Sequence, residues 1–196
     1  MKERDNLKEF SEDIKKHRRE IDDLMRRKMP VFAGRIVVSH VQDNFRKGGF
    51  VNNGLHPWKK SNREIYGGKS ASDHYGTLLS ARNHLYSSTK YIPGDARVVV
   101  SNQVEYAAVH NWGGTVSPTV TPKMRKFAWA KFYALGGNKK DQPVAPDVGF
   151  WKNLALTKKS KLNIRMPQRQ FLGESREMND AVREKLDAEL ARIFGG

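Results

Sequence analysis

The chain has no cysteine in its 196 residues. That excludes disulfides, thiolate metal sites and thiol nucleophiles, and it is compatible with a reducing compartment. Acid is scarce in the middle of the chain. Residues 31–170 hold seven acidic side chains against 22 basic ones, so a carboxylate-built catalytic centre has little to draw on. No apolar run approaches the roughly 20 residues of a membrane span. The opening MKERDNLKEF is charged and lacks the apolar core of a secretory signal. The expectation is a soluble protein made in the cytoplasm, with no membrane partner.

What the chain does have is positive charge, +15 net. Residues 1–30 are nearly balanced, with 10 basic and 8 acidic side chains, and residues 171–196 carry 4 and 6. The excess therefore lies in the middle, and across 121–165 there are 11 basic and 2 acidic residues. Such a field draws polyanions or acidic protein faces. Apolar content of 38% beside 29% charged suits one domain with a modest core and exposed arms.

Leu7, Phe10, Ile14, Ile21 and Leu24 step by threes and fours, which predicts a helix with a narrow apolar stripe that needs a partner surface. Pro30 is expected to interrupt it, with a second helix over about 31–46 released at Gly48. Residues 48–76 read as loop with Trp58 as its anchor. Residues 77–88 read as a short helix, ARVVVSN as a buried strand, YAAVHNW as one or two helical turns, and GTVSPTV as an edge strand. Residues 121–135 have helical period, LNIRMPQRQF is extended, and 173–194 is the clearest helix. The sum is α+β: a small antiparallel sheet flanked by helices, with a long N-terminal helix and a C-terminal helix. Residues 1–30 form a charged amphipathic arm and 31–196 a single domain with a basic insertion at about 121–161.

Motifs of chemistry are weak. Asp73-His74, with His84 and His110 downstream, is not a ligand set at metal spacing. The paired glycines lack the strand, helix and Lys-Ser/Thr of a phosphate loop. Ser80, Ser87 and Ser88 surround His84 in sequence only, and such serines more often cap helices or bond the local backbone. No catalytic, metal or cofactor residue is expected. PKMRKFAWAKFY interleaves cations with aromatics, so Lys123, Arg125, Lys126 and Lys131, with Lys158, Lys159 and Lys161, are candidates for polyanion contact. An amphipathic helix with snorkelling lysines explains the same period.

Three segments then line up: LLSARNHLYSS, ARVVVSNQVEYAAVHNWGG and MPQRQFLGES. In this order they resemble the phage virion morphogenesis or tail-completion family of Mu-like and related tailed phages. The matching positions are Ser80, Ala81, Leu85, Tyr106, Ala107, His110, Gly113, Pro167, Arg169, Phe171, Leu172 and Gly173, joined by Gly54 and Trp58 of the GLHPWKK loop. The resemblance covers about 50–194, and the 121–161 stretch is longer and more basic than the pattern needs.

The resemblance implies a structural protein rather than an enzyme, without cofactors, that completes the tail or joins it to the head. Related terminator and connector proteins form rings. The implied partners are further copies of the chain, tail-tube and head-connector proteins, and packaged DNA. The implied location is the virion, and the host cytoplasm during assembly. The alternative is a DNA-binding module that uses 121–165. On the structural reading, Tyr106 packs into the core with its hydroxyl at the rim, and His110 bonds a backbone group near the turn. Trp112 offers interface area, and Arg169 holds loop carbonyls or an acid.

Overall fold

The computed structural model describes residues 2–61, 64–65, 75–137 and 146–195. The fold is α+β, with a long helical rod at the N-terminus and a single helix at the C-terminus. Helix α1, Lys2–Asp23, passes through a π-helical turn, Leu24–Lys28, into α2, Met29–Lys47.

Pro30 does not break this rod. Proline cannot donate to the carbonyl four residues back, and its ring crowds that carbonyl. Widening the preceding turn relieves the crowding, and the Met29 amide bonds the Leu24 carbonyl instead. The Arg26 carbonyl, left without its helical donor, accepts from the Ala96 amide at 3.0 Å. The Arg26 guanidinium then grips Asp95, Nε to Oδ1 at 2.7 Å and Nη2 to Oδ2 at 2.5 Å. A distant turn thus takes up the bond that the proline omits.

Helix α2 stops at Gly48, whose φ of +66° is the left-handed conformation that glycine adopts without strain. The segment expected to be loop opens with a hairpin instead: β1, Gly49–Val51, pairs antiparallel with β2, Leu55–Pro57. Asn53 and Gly54 turn it, at φ +52° and +108°. Three-residue strands are too short to show a period, but the Asn-Gly pair was a readable turn signal. Of the short helix expected over 77–88, only α3, His84–Ser87, forms, because Leu78 and Asn83 take positive φ.

Strand β4, Arg97–Asn102, pairs with β3, Thr89–Gly94, a strand not foreseen because TKYIPG carries a proline and no clean alternation. Their hairpin lies on α2, where buried Gly34 leaves room for the Tyr91 ring. Helix α4, Ala107–Trp112, leads into β5, Gly114–Val116, which pairs with β6, Ile164–Met166. Helices α5, Pro122–Ala134, and α6, Pro146–Leu156, pack on each other, and α6 falls within residues expected as linker and basic insertion. Helix α7, Arg176–Phe194, returns along α2 and the inner end of α1. Among the described residues the strands form three two-stranded ribbons. The central core gathers Val41, Phe45, Trp58, Leu85, Ala107 and Phe171.

Candidate functional site

Residues 169–172, Arg-Gln-Phe-Leu, form neither helix nor strand, yet Arg169 is 6% exposed and Phe171 1%. A buried stretch of this kind must find partners for every backbone amide and carbonyl. Here side chains from α2, from α4 and from Trp58, just past β2, meet five of them. Asn111 on α4 accepts from the amides of Phe171 and Leu172, each at 2.9 Å, and its Nδ2 donates to the Leu172 carbonyl at 2.9 Å. Asn44 on α2 donates to the Phe171 carbonyl at 3.1 Å and accepts from the Val51 amide at 3.0 Å. Trp58 Nε1 donates to the Gln170 carbonyl at 2.7 Å.

Arg169 extends the clamp outward. Its amide donates to the His110 carbonyl at 2.7 Å, and its guanidinium donates to the carbonyls of Lys59 at 2.8 Å and Lys60 at 3.4 Å. Burial pulls the guanidinium below its ordinary pKa, and the charge of Glu64 opposes that fall. Burial would raise the Glu64 carboxyl, but hydrogen bonds from Thr77 and Ser61 outweigh it and hold the group below its usual range. Beneath the clamp the Phe171 ring meets Phe45 at 5.1 Å, and Phe45 meets Trp58 edge-on at 5.4 Å.

The motif residues divide into two sets. Trp58, Leu85, Arg169 and Phe171 converge in and beside the core. Gly113 seals the clamp: its φ is +72°, and an added Cβ would stand 3.0 Å from the Gln168 amide nitrogen. Pro167 follows β6 and lines a shallow groove with Trp112. Ser80 is half-buried in the turn before α3, where its amide donates to Asn83 Oδ1 at 3.1 Å. Trp112, 67% exposed, faces solvent.

Two geometries differ from expectation. Tyr106 is 44% exposed rather than packed in the core, and it lies edge-on to His84 and His110 at 6.5 and 5.9 Å. The ring of His110 bonds no backbone group: its Nδ1 is buried without a hydrogen-bond partner among the described residues, and only its carbonyl engages the turn. Burial, then the charge of Arg169, holds the imidazole below its ordinary pKa, so it is neutral at pH 7.

Of the basic candidates, Lys123, Lys126, Lys131, Lys158, Lys159 and Lys161 are exposed, while Arg125 is half-buried. The Thr119–Lys161 bridge and the Val120 amide on the Ser160 carbonyl, at 2.8 Å, set the second lysine group beside the first turn of α5. Among the described residues no three His, Asp or Glu side chains gather as metal ligands, and Asp73 and His74 lie outside the described residues. No helix of the described residues is long and apolar enough to cross a membrane.

Sequence reasoning missed Asn44, Asn111 as a clamp, and Glu177. For the asparagines a signal existed. Asn44 lies on the same helical face as Val41 and Phe45, and Asn111 stands one turn after Ala107, and all five are buried. A polar side chain inside an apolar stripe needs partners. Glu177 lies in the first turn of α7. From there its carboxylate accepts from the amides of Asn53 at 3.1 Å and Gly54 at 3.0 Å.

The model of the phage virion morphogenesis family matches residues 6–191, nearly the whole chain, and the chain belongs to that family. No curated protein and no solved structure matches it.

Proposed function

We propose that the protein completes the phage tail, or joins it to the head, by closing with copies of itself into a ring on the tail. The observation that carries this reading is uncovered surface. Leu7, Phe10, Trp112, Phe127 and Phe150 are large apolar side chains and each is more than half exposed. Apolar surface of this kind is what a subunit keeps for other subunits to cover.

On this reading the protein performs no reaction. The clamp of Asn44, Asn111, Trp58 and Arg169 holds one rigid centre, from which the exposed elements meet sister copies, the tail tube and the head connector. The protein travels with the virion and is in the host cytoplasm during assembly. Removing the gene from the phage is expected to leave filled heads and unjoined or irregular tails in electron micrographs. Normal virions from the deletion would overturn the proposal.

The exposed aromatics beside Lys123, Lys126 and Lys131 favour a second reading, contact with DNA. It requires duplex affinity that falls steeply as salt rises. Assembly through protein faces requires self-association with little duplex affinity.

A further inference from the structure

We infer that the outer turns of α1 in one copy lie across the α5–α6 face of a second copy. This rests on the self-association proposed above and names the two surfaces that make it. The apolar stripe of α1 is covered for only half its length. At its inner end Leu24 is 1% exposed, and His17 meets Phe194 of α7 edge-on at 5.3 Å. Helix α7 ends there. Leu7, Phe10 and Ile14 continue the same stripe outward and are 67%, 63% and 51% exposed. One helix already covers the inner half, so the outer half presents the same shape to a second one.

The charge beside the bare half is opposite to that of the chain. Glu9 and Asp13 line one edge of the stripe, and residues 6–14 hold three acids and one base in a protein of net charge +15. The face they would meet is on α5 and α6. Phe127 and Phe150, 52% and 55% exposed, both touch the edge of Trp151, at 5.7 and 5.1 Å. Lys123 and Lys131 stand one helical turn to either side of Phe127, and Lys131 Nζ is 5.9 Å from its ring. An apolar helix with an acidic edge matches an aromatic face with basic edges, and the charges set orientation as well as encounter.

The two surfaces are different, so the contact is head-to-tail: each copy gives its α1 and receives another on α5–α6. Repeated, such a contact closes into a ring or runs open. A contact of standard size covers about 800 Å² on each partner.

Sedimentation of the full chain over a concentration series tests the inference. Wild type is expected to self-associate. Phe10→Asp and Phe127→Asp are each expected to weaken that association at least about tenfold, with circular dichroism and melting unchanged because both side chains are exposed. Mixed, the two variants are expected to form a dimer and nothing larger, since one working α1 and one working face remain between them. Glu9→Lys with Asp13→Lys, mixed with Lys123→Glu plus Lys131→Glu, is expected to recover pairing that neither double variant shows alone. Unaltered assembly of the single variants, a monomeric wild type, or no dimer on mixing would overturn the inference. So would a Phe127→Asp protein that loses salt-dependent duplex binding while assembling normally. The tail-joining reading fails on a separate result, normal virions without the gene.

Discussion

Asn111 and Leu172 exchange a pair of hydrogen bonds, Nδ2 to the carbonyl and amide to Oδ1, both at 2.9 Å. The pair mimics two strands in register, although one partner is a side chain. It lets an irregular segment pass through the interior with its backbone satisfied.

Replacing Asn111 with Ala strips partners from three backbone groups at once. Each buried group left unpaired costs about 1–3 kcal/mol, so the loss should exceed about 2 kcal/mol. Urea denaturation with a two-state fit measures it. A variant as stable as wild type would mean that water replaces the carboxamide.

Arg169 tests whether the outer clamp depends on shape or on charge. Arg169→Lys keeps the cation, but a single ammonium cannot reproduce the planar fork that reaches the carbonyls of both Lys59 and Lys60. The expected loss is about 1.5–3 kcal/mol, the range for hydrogen bonds to charged groups. Arg169→Gln removes a charge that holds the His110 imidazole down, so the His110 pKa should rise in an NMR titration, while burial keeps it below its ordinary value.

Acid should loosen the β1–β2 hairpin from α7. Amides of Gly54 and Asn53, with Ser175, push the Glu177 pKa down from 4.5 to about 2. A carboxyl lowered by folding stabilises the native state above its unfolded pKa. That stabilisation is lost as pH falls from about 4.5 through about 2. Glu177→Gln should therefore be less stable than wild type at neutral pH and should lose less between pH 5 and 2. Melts across that window read the difference, and parallel acid limbs would refute the assignment.

Pro30→Ala restores an amide that competes with Ala96 for the Arg26 carbonyl. The expected result is faster hydrogen exchange at Ala96 and a looser β3–β4 turn. Arg26→Ala removes only an exposed, solvent-screened ion pair and should leave stability nearly unchanged. Unchanged exchange at Ala96 in Pro30→Ala would show that the hairpin holds its place without the bond.

Legibility in the sequence followed the range of each interaction. The stripes of α1 and α7 and the valines of β4 could be read directly, because periodicity is local. The unbroken rod could not, since Pro30 is tolerated only with the help of Ala96, far along the chain. Strand β3 was hidden because its partner, not its composition, makes it a strand. Trp58, Leu85, Arg169 and Phe171 were visible as motif residues, but their convergence was not, because Asn44 and Asn111 join them through backbone atoms that carry no residue identity. Tyr106 was misplaced for a related reason: an aromatic beside two alanines looks like core, and only the turn before α4 shows that it faces outward.

The π-turn at Leu24–Lys28 has a geometric effect on the rod. A wide turn takes up the roughly 100° that its extra residue would add in an α-helix, so α1 and α2 keep a common side: Glu20, Leu24, Lys28 and Phe32 line one groove with Glu189, Arg192 and Ile193 of α7. One helix, α7, therefore covers the joint of the rod from a single side. Deleting one residue in that turn would restore α-helical spacing and leave the tip on its present bearing, at the expense of the room the wide turn gives Pro30.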